Sequence, residues 1–237
     1  MKTNSCDCGT CRHKLCAQRV PIFSGLNEEE LSHVADLIQR RQYLKGEIIQ
    51  LEGSDADCLT IINQGKVKAF RYTQEGKEQI LYLFSEGDFF GESNLFGGKE
   101  AAYHAEALEQ TSICMIARND FQELVRRYPE ISLKIIGALC TRLERLETTI
   151  QNMGTRSVEG RISSVLLEFA EKYGVKGSKG ILITLPFSRE GMASYIGIAR
   201  ETISRKLTLL QDAGIIEMVG NKRILLLNEE ALRRELD

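Results

Sequence analysis

The chain has 237 residues, 43% of them hydrophobic, enough to bury two modest cores and so to form two domains. Its net charge of −2 is not the overall signature of a nucleic-acid binder, so any DNA-binding charge must be local. No apolar run approaches the length of a membrane span and no signal peptide opens the chain, which points to a cytoplasmic protein without a membrane partner.

Residues 1–19 hold little apolar material and read as an irregular, cysteine-rich segment. Four of the seven cysteines, Cys6, Cys8, Cys11 and Cys16, crowd into it. In a reducing compartment such a cluster favours metal or redox chemistry over a structural disulfide framework. Asn27 then reads as an N-cap with Glu30 at the capping-box position, followed by the buried stripe Leu31, Val34, Leu37 and Ile38. From about Leu44 to Ala117 the pattern turns to short strands punctuated by glycines, the mark of an all-β roll. Lys66–Tyr72 and Gln79–Phe84 are the clearest strands, joined by a hairpin turn at Glu75–Gly76–Lys77.

Asp120 to Tyr128 reads as a short helix that Pro129 closes. A long helix follows from about Ile131. Ile136, Leu139, Leu143, Leu146, Ile150 and Met153 recur in steps of three and four, an a/d seam that predicts a symmetric homodimer, with Arg142, Glu144, Arg145 and Glu147 beside it. Ser157–Tyr173 is a further amphipathic helix. Val175–Gly180, rich in Gly, Lys and Ser, reads as a mobile loop. Ile215–Val219 and Arg223–Leu227 predict a two-stranded wing around Gly220–Asn221, and 229–236 a closing helix.

Between these lie two short helices around a tight turn. Ser188 is the candidate N-cap of the first, with Met192, Ala193 and Ile196 on its apolar face. Gly197 supplies the positive φ of the turn. The second runs from about Ala199 to Gln211 and turns Ile203, Leu207 and Leu210 inward. Arg200, Glu201, Ser204 and Arg205 share its exposed face. These side chains suit base reading: Arg takes guanine O6 and N7, Glu accepts from the cytosine amino group, and Ser reads flexibly. Within Ser188–Gln211 four basic residues face two acidic ones, which supplies the local charge. A helix-turn-helix makes its base contacts at this end of its second helix.

The stretch SYIGIARETISRKL resembles the recognition region of the bacterial regulators typified by the cyclic-AMP receptor protein (CRP) and the fumarate-and-nitrate-reduction regulator (FNR). Arg200, Glu201 and Arg205 match the CRP-type trio, and Glu201, Ser204 and Arg205 the FNR-type E-x-x-S-R. VPIFSGLNEEEL resembles the opening of the sensor domain of that family. One departure is Ala199, where relatives often carry a capping Ser or Thr. The resemblance implies an α+β chain: a cysteine-rich segment (1–19), a double-stranded β-helix or jelly-roll sensor domain (20–130), a dimerisation helix (131–154) and a winged helix-turn-helix domain (155–237). It also implies RNA polymerase as a partner. The expected DNA is a two-fold symmetric site with a TGA core in each half, Arg205 on the guanine, Glu201 on the cytosine opposite and Arg200 on a neighbouring guanine.

Two further features follow from the resemblance. Gly91–Glu92 sits where CRP-type proteins begin a nucleotide-phosphate loop that ends in an Arg–Ser pair. Here that place reads Ala102–Tyr103, with no Arg from Glu92 to Ile116, so no cyclic nucleotide is expected. FNR-type oxygen sensors hold a [4Fe–4S] cluster with three N-terminal cysteines and one on the sensor domain. Cys8, Cys11, Cys16 and Cys114, in TSICMI, match that set. The last N-terminal gap is one residue shorter, and Cys6 is surplus. A metal held by the four N-terminal cysteines without Cys114, a zinc site and a thiol–disulfide switch stay open as alternatives. Cys58 and Cys140 read as buried structural thiols. FNR-type seams carry an acidic residue that weakens the dimer; the matching position is Leu146.

No nucleophile–base motif, phosphate-cradling loop or zinc-hydrolase helix argues for an enzyme. A metal carrier would need neither a recognition helix nor a seam. The reading is therefore a DNA-binding transcription regulator responding to oxygen or redox state. A small organic effector inside the roll is the alternative signal.

Overall fold

The computed structural model describes residues 20–97, 100–155 and 157–236. These residues form two compact units. Among them, one unit comprises residues 20–71 together with 80–142, the other residues 72–79 together with 143–236. The described chain mixes helices and antiparallel sheets in an α+β fold.

The first unit opens with a single 3-10 turn, Pro21–Phe23, and helix α1, Glu28–Leu37. Asn27 caps α1 by accepting from the amides of Glu29 and Glu30 at 3.0 and 3.1 Å, while Glu30 accepts from the Asn27 amide at 2.7 Å. The capping box expected there is thus formed. Eight strands follow: β1 (Gln39–Tyr43), β2 (Ile48–Gln50), β3 (Cys58–Gln64), β4 (Val67–Tyr72), β5 (Glu78–Phe84), β6 (Phe89–Phe90), β7 (His104–Ala107) and β8 (Thr111–Ala117). They pair as two four-stranded sheets, ordered β1-β8-β3-β6 and β2-β7-β4-β5. Alternation along β3 and β8 divides the unit into two cores. Ile62 and Ile113 point into the roll, where they meet Val67, Ala69, Phe84, Phe90 and Ala105. Leu59, Ile61, Cys114 and Ile116 point the other way, into a helix-covered core.

Helices α2 (Glu92–Phe96) and α3 (Arg118–Arg127) and the part of α4 (Glu130–Thr155) up to Arg142 complete the first unit; the rest of α4 belongs to the second. Phe121 and Leu124 of α3 and Ile131 and Ile135 of α4 fill the outer core together with Val20, Ile22 and Phe23. Gly91 starts α2 with a φ of 92°, and a Cβ there would lie 2.6 Å from the Cys58 carbonyl oxygen. The Gly-Glu pair is therefore a turn that only glycine fits.

In the second unit Ser157 caps α5, Val158–Tyr173, by accepting from the Gly160 amide at 3.1 Å. Then come β9 (Gly174–Gly177), β10 (Gly180–Thr184), α6 (Arg189–Ile196), α7 (Arg200–Asp212), β11 (Ile216–Val219), β12 (Arg223–Leu226) and α8 (Glu229–Arg234). One sheet, ordered β11-β12-β10-β9, carries the wing hairpin as an edge. The loop expected at 175–180 is instead a β-hairpin. Ile181 pairs with Lys176 and Leu182 with Val175, so the ladder of β10 captures a segment whose composition reads as loop. The core of this unit joins Ile162, Leu166 and Phe169 of α5 to Met192, Ile196, Ile203, Leu207, Ile216 and Ile224.

Replacing Gly91 by Ala should destabilise the first unit by about 2–4 kcal/mol, through positive-φ strain and the clash with the Cys58 carbonyl. A urea unfolding midpoint within error of the unsubstituted protein would contradict this.

Candidate nucleic-acid interface and sensor residues

Helix α6 begins at Ser188, whose hydroxyl accepts from the Gly191 amide at 3.3 Å. It ends at Gly197, left-handed at φ 78°, where the amides of Gly197 and Ile198 both return to the Ala193 carbonyl at 2.9 and 3.0 Å. The chain then extends through Ala199, which offers no side-chain cap, and enters α7. Met192, Ala193 and Ile196 of α6 and Ile203 and Leu207 of α7 are buried, as their spacing predicts; Leu210 is half-buried.

Burying that stripe turns Arg200, Glu201, Ser204 and Arg205 outward together. Arg200, Glu201 and Arg205 are exposed and Ser204 is half-buried. Arg200 lies 3.9 Å from Glu190, but both side chains are largely in water. Such a pair is worth ~0–1 kcal/mol and leaves the guanidinium available. Lys206, by contrast, points back into the protein and is ion-paired with Glu159 of α5. The wing turn is fixed beside α6: Leu185 donates to the Lys222 carbonyl at 2.8 Å and Arg189 to the Gly220 carbonyl at 3.4 Å.

The sensor residues fall in three places. Cys8, Cys11 and Cys16 lie outside the described residues, as does Cys6. Cys114, on β8, is buried in the outer core with Val20, Ile131 and Ile135. Among the described residues no three His, Cys, Asp or Glu side chains gather into a metal site. Cys58 is half-buried, and burial pushes its thiol pKa up, which disfavours a thiolate there. Cys140 differs from expectation. It is exposed, because it lies between Ile136 and Leu143 on the open side of α4.

Inside the roll, Tyr103 stands where an Arg–Ser pair would serve a nucleotide phosphate. Its ring lies 5.8 Å from Tyr82 and 6.5 Å from Phe90, and burial pushes its hydroxyl pKa far up. The guanidinium nearby belongs to Arg142 of α4. It binds Glu92 at 2.8 Å and the Phe89 carbonyl, and covers the Phe84 and Phe89 rings at 5.2 and 4.7 Å. Arg142 read in sequence as a charge flanking the seam; in the fold it is turned toward the roll.

The seam residues divide. Leu139 leans on the chain's own core and Leu146 is half-buried. Ile136, Leu143 and Ile150 are open to water at 54, 57 and 69% exposure, joined by Leu133 at 72%. Leu133 continues the three-and-four spacing but escaped the sequence reading because it precedes the regular part of the pattern. The side chain of Met153 lies outside the described residues.

A model of the cyclic nucleotide-binding domain matches residues 40–128, and one of the Crp-like helix-turn-helix domain matches residues 160–235. The probable transcriptional regulator Flp of Lacticaseibacillus casei is 30% identical over 215 residues, covering 91% of this chain and 95% of that one. The chain belongs to the CRP/FNR family of transcriptional regulators. The fumarate and nitrate reduction regulatory protein of Salmonella typhi is another relative of this CRP/FNR member, 26% identical over 208 residues, 87% of this chain and 82% of its own. Among solved structures, a CooA mutant from Carboxydothermus hydrogenoformans superposes with a TM-score of 0.79 at 25% identity, covering 92% of this chain and 96% of that one. The protein is thus a DNA-binding transcription regulator and not an enzyme. Among the described residues no helix is long and apolar enough to cross a membrane.

Replacing Arg205 by Ala should weaken binding to the protein's own operator by about 1–3 kcal/mol and relax the preference at one base pair per half-site. Equal losses on operator and scrambled duplex, in binding assays at fixed salt, would show that Arg205 touches only phosphate.

Proposed function

We propose that this regulator is a cytoplasmic homodimer that reads a two-fold symmetric TGA-core operator, engages RNA polymerase, and answers to oxygen or redox state through cysteine chemistry. The proposed DNA contacts are Arg205 to guanine, Glu201 to the opposing cytosine, Arg200 to a neighbouring guanine, and Ser204 beside them. Their common outward face on α7 supports this assignment.

The observation that carries the sensor reading is the placement of Cys114. Its thiol lies in the buried cluster that also holds Val20, which directly follows the cysteine-bearing segment, and Ile131 and Ile135 of α4. A ligand there would join that segment to the start of the long helix. Cys8, Cys11, Cys16 and Cys114 together offer four thiolates, the donor set that suits a [4Fe–4S] cluster, whose bound form would supply oxygen sensitivity. The aromatic rings around Tyr103 and the absence of an arginine between Glu92 and Ile116 speak against a cyclic nucleotide as the signal.

The dimer is formed through Ile136, Leu139, Leu143, Leu146, Ile150 and Met153, extended by Leu133. Leu133, Ile136, Leu143 and Ile150 are 54–72% exposed, so burying the remainder of each is worth about 1–2 kcal/mol, and two copies supply eight such side chains. That exceeds the lower range of the ~4–15 kcal/mol cost of association.

Anaerobically prepared protein should be brown and contain about four iron and four sulfide per chain, the content of one cubane cluster. Cys114→Ser should lower the iron content, whereas Cys58→Ser and Cys140→Ser should not. Full iron in Cys114→Ser with loss in Cys6→Ser would place a metal wholly in residues 1–19. Colourless, metal-free protein in which an oxidant joins an N-terminal cysteine to another thiol, with altered DNA affinity, would favour the disulfide switch. Sedimentation at micromolar concentration should give a dimer even without metal, and Leu143→Asp should weaken it by burying a charge in an apolar seam. A monomer in metal-free protein would contradict the dimer.

A further inference from the structure

Just beyond Arg142, helix α4 passes into the DNA-binding unit, and there Arg145, itself exposed, bonds to side chains of two other helices. Arg145 is ion-paired with Glu168 of α5 and donates to the Tyr195 hydroxyl of α6 at 2.6 Å. The Tyr195 hydroxyl in turn donates to Glu168, 3.3 and 3.4 Å from its two carboxylate oxygens. Three side chains from three helices thus close one hydrogen-bonded ring. Burial pushes the Tyr195 pKa up, so the hydroxyl stays protonated and keeps its role as donor.

The ring of Tyr195 is fixed independently of its hydroxyl. It lies 5.6 Å from Phe169 of α5 and 5.8 Å from Phe187, which are themselves 5.7 Å apart. The stack holds α6 on α5 whether or not Arg145 is present. The recognition helix α7 has its own tie to α5 through Lys206 and Glu159. Both helices of the helix-turn-helix are therefore tied to α5, and Arg145 adds a polar bond from α5 and α6 to α4.

We propose that Arg145, through Tyr195 and Glu168, is a positioning residue: it sets the angle at which each recognition helix is presented by the dimer helix, and so the half-site spacing the dimer accepts. It touches no base. A single half-site needs one well-folded α7, which the aromatic stack and the Lys206–Glu159 pair secure. A palindrome needs two copies of α7 held at a fixed separation, and each degree of freedom between α4 and α5 lowers the effective concentration of the second contact. The proposal rests on the dimeric reading given above.

The test uses the full-length protein and a palindromic duplex it selects from a random pool, next to the same duplex with one half scrambled and with the spacer changed by one base pair. Tyr195→Phe removes only the hydroxyl, and Arg145→Ala only the α4 side of the ring. Both should bind the palindrome about tenfold more weakly, keep affinity for the half-scrambled duplex within about twofold, and discriminate less between spacers. Arg145→Lys, which keeps the charge, should recover part of the loss. Unchanged palindrome affinity, or equal losses on palindrome and half-scrambled duplex, would overturn the proposal while the protein sediments as a dimer. A monomeric unsubstituted protein would overturn the dimer reading and the proposal with it.

Discussion

One face of α4 has a place in the fold and the other does not. Ile131 and Ile135 are buried in the sensor core, and Leu139 leans on it. Leu133, Ile136, Leu143 and Ile150 are left in water on a helix of 26 residues. A monomer with that stripe exposed pays a hydrophobic penalty that a second copy removes. A partner of the same sequence also imposes two-fold symmetry. In the proposed dimer that symmetry would present two copies of α7, which is why a two-fold symmetric operator is proposed.

The same helix is where a signal could act. Its first turns share a core with Cys114 and Val20, and Arg142 turns from its middle toward Glu92 and the aromatic lining of the roll. Ile131 and Ile135 share the buried cluster of Cys114, so a change of ligation or oxidation there would act within the core that α4 enters. A change inside the roll would be felt first by Arg142. Both routes converge on α4 before Leu143, so they need not compete. The packing of Tyr82, Phe84, Phe90 and Tyr103 against one another gives the second route less room than an open roll would have.

The helix-turn-helix and the outward side of α7 were legible in sequence because they rest on local rules. The N-cap at Ser188, the left-handed Gly197 and the spacing of Ile203 and Leu207 each speak for themselves, and together they fix which side of α7 faces outward. The capping box at Asn27 was legible for the same reason. What composition could not supply was tertiary. Gly174–Gly177 forms a strand only because β10 offers a ladder to it. Cys140 is exposed because α4 turns that side away from its own core, against the usual habit of cysteine. The ring of Arg145, Glu168 and Tyr195 joins residues 23 and 50 positions apart, and no period or motif links them. Arg142 and Arg145 looked like a pair of seam-flanking charges, and each found a partner elsewhere.

The account depends most on a symmetric pair of recognition helices presented by α4. Native mass spectrometry of the protein with its selected operator reads this directly. The predicted result is two chains per duplex, kept when one half-site is scrambled, because the dimer forms before it meets DNA. One chain per duplex on the intact operator, or a second chain that appears only when both half-sites are present, would contradict it.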